Sequence, residues 1–412
     1  MKYDLTQARK CIETLDKRRF DRALLGSGDA FRHIVSLLPL LLHLNHSALP
    51  GYVEDAPVGI SDFILSNYQQ GFLSKEHPEL AASVQSAVNS DAVFAPILGI
   101  YVMGSFGSIS QTSASDLDIW ICHQDDLSEQ DQQRLAEKTK KITQWASTFH
   151  VEMHFYLMTQ KRFRNERYSD PLTKENSGSA QYMLLLEEFY RSAVRLAGKP
   201  LLWLHLWVED EKQYEAEVAR LVAEGELNPN DWVDFGGLGQ FSASEYFGAS
   251  LWQLYKGIDS PYKSVMKILL LETYAQEYPN AHLIARQFKE DLLSGRSTAA
   301  HHFDPYIAIL ERISQYLTAH SEFKRLDFVR SCFYVKATED FALYHASNWR
   351  ISYMKMMAQE WGWSKERIEE LDLRPNWKIK RVKESHNNLV NFLMMSYRNL
   401  VDFARKHKIN SS

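Results

Sequence analysis

Cysteine and excess charge are both scarce in this sequence. Its 412 residues include three cysteines, Cys11, Cys122 and Cys332, which lie far apart and form no pair at metal-ligand spacing. This usage is typical of a reducing compartment, so we expect a cytoplasmic protein that folds without disulfides. The 47 Lys and Arg residues nearly balance the 52 Asp and Glu residues, and the formal net charge is −5. That balance argues against a protein that binds nucleic acid in bulk by neutralising phosphates.

The sequence also lacks a signal-peptide pattern at residues 1–16 and a long apolar segment. Its longest apolar run extends from Ile34 to Leu44 and is interrupted by Ser36, Pro39 and His43. Because a bilayer-spanning helix takes about 20 residues, we expect no membrane span. Aromatic residues make up 12% of the chain, which predicts a packed core and excludes disorder over most of the length.

A change of pattern near residue 97 predicts a small sheet. Residues 1–50 show helical spacing, with a second helix starting near Asp29. An apolar run at 97–103, a Ser- and Gly-rich loop at 104–115 and a second run at 117–122 then predict strand, loop and strand. A helix at 127–149 and a strand at 151–158 follow. We further predict a surface loop at 159–179, a helix at 181–196 and a strand at 201–208.

The rest of the chain is predicted to be mainly helical. Ser242 and Glu245 form a capping-box pattern, Ser260 and Pro261 open another helix, and residues 376–408 form a long closing helix. At roughly 150 residues per domain, the length suggests two or three domains. We predict an α+β fold, with a catalytic domain at 1–205 that includes the N-terminal helices. A helical domain at 206–412 would close over a cleft.

Two carboxylates on one strand are the sharpest chemical signal. Asp116 and Asp118 follow Gly104 and Ser105 after a spacer of ten residues. Residues i and i+2 of a strand share a face, so both carboxylates and Trp120 point the same way. Two such carboxylates repel each other unless a cation lies between them. The pattern therefore predicts a site for two divalent metal ions, although a lone Asp-x-Asp is more often a solvated edge.

Neighbouring residues complete a possible phosphate site. Glycine at 104 lets a phosphate approach the backbone, and Ser105 can add N–H and hydroxyl groups. Glu152 is a third acid on the next strand, where it could serve a second metal ion, and His154 lies on its face. His154 could assist proton transfer, but a structural histidine is the more common case.

This arrangement resembles the DNA polymerase β-like nucleotidyltransferase superfamily. A closer resemblance, to the class I adenylate cyclases of the enterobacterial type, covers nearly the whole chain. The matching motifs are Met103-Gly104-Ser105 with Gln111, Ser115-Asp116-Leu117-Asp118-Ile119-Trp120, and residues 184–191, 193–199, 245–256, 259–263, 376–379 and 396–400.

The resemblance implies a nucleotidyltransferase-type sheet and conversion of ATP to 3′,5′-cyclic AMP and pyrophosphate. It implies two Mg²⁺ or Mn²⁺ ions held by Asp116, Asp118 and Glu152, which would be the catalytic residues. The substrate would be bound by Gly104, Ser105, Ser115, Trp120 and Lys263. There are two departures: Phe106 stands where a small or hydroxylated residue is expected, and the chain stops at Ser412, whereas family members continue into a C-terminal regulatory half.

Other polar residues have a functional and a structural interpretation. Lys263 and Lys267 share one helix face; we favour a phosphate contact for Lys263 and leave Lys267 open. Trp120 could contact the nucleotide or pack in the core. Glu187 and Arg191 are predicted to form an i,i+4 pair. The basic loop with Lys161, Arg162, Arg164 and Arg167 is a lid in one interpretation and a solvated loop in the favoured one.

The sequence thus favours an adenylate cyclase with ATP as substrate. The main alternative is an enzyme that transfers a nucleotide to the hydroxyl of a small molecule, a protein or an RNA. A catalytically silent interaction module is a third possibility, which the presence of Gly104, Ser105, Asp116 and Asp118 disfavours.

Overall fold

The computed structural model describes residues 5–25, 27–88, 95–113, 115–165, 182–239, 241–295, 302–340 and 349–409. The first half contains α1 (Leu5–Leu25), α2 (Asp29–His43), α3 (Asn67–Glu76), α4 (Pro78–Val88), β1 (Ile97–Met103), β2 (Leu117–His123), α5 (Glu129–Ser147), β3 (Met153–Met158), α6 (Gln160–Asn165), α7 (Tyr182–Ser192), β4 (Val194–Gly198) and α8 (Leu202–His205). The second half contains α9 (Tyr214–Ala223), α10 (Ala243–Lys256), α11 (Pro261–Gln276), α12 (Ile284–Ser294), α13 (Pro305–Ala319), α14 (Phe323–Ala337), α15 (Trp349–Glu360), α16 (Lys365–Asp372) and α17 (Ile379–Lys406). The predicted α+β class is confirmed.

One four-stranded mixed sheet has the order β3-β2-β1-β4. β2 pairs in parallel with β3 and antiparallel with β1, and β1 pairs antiparallel with β4. Apolar residues of β1 and β2, such as Ile100 and Ile119, are fully buried in one cluster with α2 and α5 residues such as Leu38 and Ile142. This cluster covers one face of β2, and Trp120 and Cys122 are buried on the other face. A register slip of one residue would move Asp118 into the apolar cluster, so the burial pattern fixes the register of β2.

The chain divides into two compact units. One comprises residues 1–107, 113–168 and 192–237 and contains the sheet; the other comprises residues 108–112, 169–191 and 238–412 and is helical where it is described. The loop between β1 and β2 therefore contributes its middle, residues 108–112, to the helical unit. The functional division predicted after residue 205 stays a prediction.

Several predicted elements are confirmed. They are the first two helices, the strands β1, β2 and β3, the helix α5, the helix that Pro261 opens, and the long last helix. The helix predicted at 181–196 is wrong in its last turn. It ends at Ser192, and Val194 begins β4, where pairing with Val102 of β1 replaces the helical hydrogen bonds.

Three other predictions are wrong in part or whole. The strand predicted at 201–208 is instead the short helix α8, because only Leu201 makes a β-bridge, with Val233. The capping box at Ser242 does not form: Ser242 makes no capping hydrogen bond, and the Glu245 carboxylate accepts the N–H groups of Met183 and Leu184. The loop predicted at 159–179 includes α6, and residues 166–179 lie outside the described residues.

The three cysteines differ in exposure. Cys11 on α1 is partly exposed, whereas Cys122 on β2 and Cys332 on α14 are buried. Burial raises the pKa of both inner thiols. In the part of the chain that the structure describes, no helix is both long and apolar enough to cross a membrane.

Candidate active site

β2 directs the two predicted metal-binding carboxylates. It is an inner strand, hydrogen-bonded to β1 on one side and to β3 on the other. Asp118 stands opposite Met103 of β1 and beside His154 of β3, and Asp116 lies just before the strand begins. Both carboxylates are half-buried. Strand pairing on both sides thus fixes where Asp118 points.

The turn after β1 lies against Asp118. Gly104 has a φ of +88°, a backbone conformation that favours glycine. A Cβ atom at this position would lie 3.7 Å from Asp118 Oδ2, so the turn and the carboxylate are close neighbours. The Gly104 N–H donates to Ser192 Oγ at 3.1 Å, a buried contact. Ser105 is buried beside it. The structure therefore brings the predicted phosphate turn and one predicted metal ligand together.

β3 adds a tyrosine to the carboxylate face. The Tyr156 hydroxyl donates to Asp118 Oδ1 at 3.4 Å. Glu152, the predicted third acid, precedes β3; its backbone carbonyl accepts the Leu117 N–H at 3.0 Å. Its side chain is 72% exposed and lies 3.1 Å from His154 Nε2. The structure therefore places Glu152 next to the face of the two aspartates, with its carboxylate oriented toward His154.

The carboxylates of Asp116 and Asp118 suit a magnesium site, which water and substrate complete, better than a metal site closed by protein ligands alone. Within the described ranges, no group of three or more His, Cys, Asp or Glu residues is placed to hold a metal ion. Asp118 on β2 and Asp116 just before it nevertheless supply hard carboxylate oxygens two residues apart in the chain. Mg²⁺ usually binds through one or two carboxylates and completes its shell with water and substrate phosphates. Two aspartates beside a phosphate turn match that requirement.

Two aromatic residues near the site belong to packing clusters. Trp120 is 2% exposed, and its ring centroid lies 5.7 Å from those of Phe163 and Phe235. Its contact with a nucleotide stays a prediction. Phe106, the residue that departs from the family pattern, is buried between Phe20 of α1 and Phe31 of α2. Phe106 thus anchors the turn to the N-terminal helices and offers no side-chain donor to a phosphate.

Two partners of the site were not found from the sequence. Tyr156 follows His154 by two residues, so strand alternation alone could have placed it on the carboxylate face. Ser192 gave no such signal, because it is 88 residues away from Gly104 and reaches it only through the pairing of β4 with β1.

In the helical unit, most of the charged residues singled out above form ion pairs. The predicted pair of Glu187 and Arg191 is confirmed, and both side chains are buried. Lys267 Nζ lies 2.6 Å from Glu188 Oε1. Burial alone would raise the pKa of Glu188, but the charges of Lys267 and Arg191 outweigh it and bring the pKa to about 2.

Lys263, in the first turn of α11, is half-buried, and its Nζ lies 5.9 Å from the centre of the Tyr306 ring. Its predicted contact with phosphate stays a prediction.

The basic segment after β3 divides into two parts. Arg164 pairs with Glu215 and with Asp234, the latter at 3.2 Å. Lys161 and Arg162 line a cavity of about 630 Å³ at the His123 end of β2, the opposite end of the strand from Asp116. Arg167 lies outside the described residues. The role of this segment as a lid stays a prediction.

Comparison with known proteins identifies the class. The family model for the adenylate cyclase N-terminal domain matches residues 4–204, which include the sheet and both aspartates. The model for the second domain of class-I adenylate cyclases matches residues 241–412. The chain therefore belongs to the class-I adenylate cyclase family.

Individual relatives agree with the family models. The adenylate cyclase of Haemophilus influenzae is 67% identical over the whole of this chain, which covers 50% of that relative. The adenylate cyclase of Escherichia coli K12 is 45% identical over 97% of this chain and 47% of its own length. The chain thus spans about half the length of the curated relatives it matches.

Among solved structures, the spectinomycin adenyltransferase of Enterococcus faecialis aligns with 62% of this chain and 98% of its own, at 13% identity. The TM-score is 0.27, a likeness too low to support an argument about this chain.

Proposed function

We propose that this chain converts ATP to 3′,5′-cyclic AMP and pyrophosphate. The observation that supports the proposal most directly is the closeness of the Gly104 turn to the Asp118 carboxylate, in a chain of the class-I adenylate cyclase family. A phosphate turn beside a carboxylate pair is the arrangement that in-line attack at a metal-bound triphosphate requires. A cytoplasmic location is part of this proposal, supported by three unpaired cysteines.

Each site residue has a distinct role in the proposal. Asp116 and Asp118 would hold Mg²⁺ or Mn²⁺, with Glu152 as a third acid for a second ion. When bound at these carboxylates, divalent ions would supply Lewis-acid chemistry, which would lower the pKa of the ribose 3′-OH and neutralise charge on the leaving pyrophosphate. Gly104 contributes space for a phosphate rather than a donor, because its N–H is already donated to Ser192. Ser105 and Ser115 would complete the phosphate contacts.

The bond changes balance within one ATP molecule. The ribose 3′-oxygen forms a bond to the α-phosphorus and releases its proton to solvent, and the bond from that phosphorus to the oxygen that bridges the α- and β-phosphates breaks. Pyrophosphate leaves on the side opposite the attacking oxygen. Tyr156 would keep Asp118 in orientation through its hydroxyl, 3.4 Å from Oδ1. Lys263 would contact the triphosphate, and Trp120, buried against Phe163 and Phe235, would support the nucleotide site from the core.

Product analysis tests the proposal. The purified chain, given ATP with Mg²⁺ or Mn²⁺ and no acceptor, is expected to release pyrophosphate and cyclic AMP in equal amounts. The 3′-deoxy analogue of ATP lacks the attacking hydroxyl, so it should bind without giving product. Consumption of that analogue in the presence of an acceptor, or a strict need for a second substrate, would instead support nucleotide transfer to another hydroxyl.

A further inference from the structure

The loop between β1 and β2 has a buried middle. Residues 108–112 group with the helical unit, whereas Gly104 before them and β2 after them group with the sheet. Ser108, Ile109, Ser110, Gln111 and Thr112 are all buried. A buried loop must find partners for its backbone polar groups within the protein, because water cannot supply them.

Two side chains from distant parts of the sequence bond the backbone of Ile109. Its N–H donates to Asp304 Oδ2 at 2.7 Å, and its carbonyl oxygen accepts from Arg350 Nε at 3.1 Å. Asp304 and Arg350 are each 2% exposed. Both polar groups of one loop residue are therefore held by charged groups, whose hydrogen bonds are stronger than those between neutral partners.

Asp304 divides its carboxylate between two tasks. Its Oδ1 caps α13 by accepting the N–H groups of Tyr306 and Ile307, at 3.0 and 3.1 Å. Its Oδ2 accepts the N–H of Ile109 in the loop. A helix cap needs only one oxygen, and serine or asparagine would serve equally well. The second oxygen is thus what a carboxylate adds at this position.

Arg350 is fixed in a comparable way. Its Nη2 donates to the Ala337 carbonyl at 2.7 Å and to Asp340 Oδ1 at 3.1 Å, which leaves Nε directed at the Ile109 carbonyl. The planar guanidinium makes these contacts together, whereas the single nitrogen of a lysine cannot span the same partners.

We propose that Asp304 and Arg350 are positioning residues for the active site, which they influence through Ile109. Ile109 lies between Gly104 and Ser105 on one side of the loop and Asp116 on the other. Fixing it limits how far the phosphate turn and the carboxylate can move, since each is joined to it by a short length of chain. This inference rests on the proposed function, because it assigns the loop the task of placing a triphosphate beside a metal site.

Two conservative variants test it. Asp304→Asn keeps an oxygen for the α13 cap but offers an NH₂ group where the Ile109 N–H needs an acceptor. Arg350→Lys keeps the charge beside Asp340 but cannot hold all three oxygens. Ser364→Ala is the matched control: Ser364 caps α16 by accepting the Arg367 N–H, so its loss also removes a cap in the same unit without touching the loop.

Three measurements are made on the full chain. Hydrogen exchange of peptides covering residues 104–113 should become faster in Asp304→Asn and Arg350→Lys but not in Ser364→Ala. The affinity for 3′-deoxy-ATP with Mg²⁺ should fall in both loop variants. The value of kcat/KM should fall by roughly 10- to 100-fold, the size expected when reacting groups are misplaced by about 1 Å.

Two results would overturn the inference. One is unchanged exchange in both loop variants; the other is faster exchange with normal analogue affinity and kcat/KM. If one variant fails to fold, the other still gives these readouts. Failure of the proposed function is seen separately, in a wild-type chain that forms no cyclic AMP, and the exchange and affinity measurements do not depend on that product.

Discussion

Asp118 owes its direction to the pleat of β2 and to the strands on both sides of it, whereas Asp116 lies just before β2 begins. Asp118 is further bonded by Tyr156, whose hydroxyl donates to Oδ1. The face of Asp118 was predictable because strand alternation is local in the sequence. Tyr156 follows from the same alternation on β3, whereas Ser192 does not, since its contact with Gly104 exists only after β4 pairs with β1.

Replacing either aspartate tests the metal assignment. Asp116→Asn and Asp118→Asn keep the size of the side chain but remove its charge, so the metal and its triphosphate should be lost while the fold remains. Cyclic AMP formation should fall by about 10³-fold or more, given how much of the barrier metal ions and positioning account for. The measurement is the initial rate at saturating ATP and Mn²⁺.

Asp126→Asn is the matched control, because Asp126 is an exposed aspartate just after β2. It should keep the wild-type rate. A folded Asp118→Asn protein that turns over at the rate of this control would contradict the assignment.

At the scale of elements, the turn after β1 packs closely against the backbone of α1. Gly107 has a φ of +68°, and a Cβ atom there would lie 2.3 Å from the Arg19 carbonyl oxygen. The helix α1 was predictable from its spacing, but its close approach to Gly107 was not, since it joins residues far apart in the chain. The capping box at Ser242 was wrong for a similar reason: its Glu245 serves the distant start of α7.

Gly107→Ala should therefore destabilise the sheet unit by more than backbone strain alone. Gly225→Ala is the control, because Gly225 also has a positive φ, +72°, but no atom of the described residues lies within 4 Å of the place its methyl group would take. We expect a loss of about 1 kcal/mol for Gly225→Ala, the usual cost of a left-handed residue. For Gly107→Ala we expect about 2–4 kcal/mol, as for other severe steric changes.

Urea unfolding followed by circular dichroism measures both losses. Equal losses in the two variants would mean that α1 yields to the added methyl group and does not fix the turn.

At the scale of the whole molecule, alternation and helical spacing predicted the class of the fold, the central strands and the last helix. The partition of the β1–β2 loop between the two compact units was beyond reach of the sequence. It depends on Asp304 and Arg350, which lie 195 and 241 residues from Ile109. Such contacts have no period or spacing that a single sequence displays.

The pH dependence of stability should carry the signature of a buried histidine. Burial lowers the pKa of His205 to about 4, and its Nε2 has no hydrogen-bond partner among the described residues. The pKa of a histidine in an unfolded chain is near 6.5. As the pH falls from 7 towards 4, His205 therefore binds a proton in the unfolded chain but not in the native protein. His205 should therefore cost the fold up to about 3 kcal/mol over that window.

His205→Phe isolates this effect, because a phenylalanine does not titrate in either state. Its stability should fall less steeply between pH 6.5 and 4 than that of the wild type, as measured by the urea midpoint at each pH. Asp16, whose pKa burial raises to about 7, contributes the opposite slope, but it is present in both proteins and cancels in the difference. If the urea midpoints of the two proteins depend on pH in parallel, His205 binds its proton equally well in the native and unfolded states, which would contradict this prediction.

Each compact unit contains a buried cysteine whose rate of alkylation can report when that unit opens. Cys122 lies on the strand that continues from Asp118, and Cys332 lies on α14 of the helical unit; both are buried, and their raised pKa values keep them as thiols. An exposed thiolate attacks an alkylating reagent far faster than a buried thiol does, so each of these sites reacts only when its own surroundings open. Cys11 should be modified first, and the later alkylation rates of Cys122 and Cys332 would measure the opening of β2 and of α14 separately.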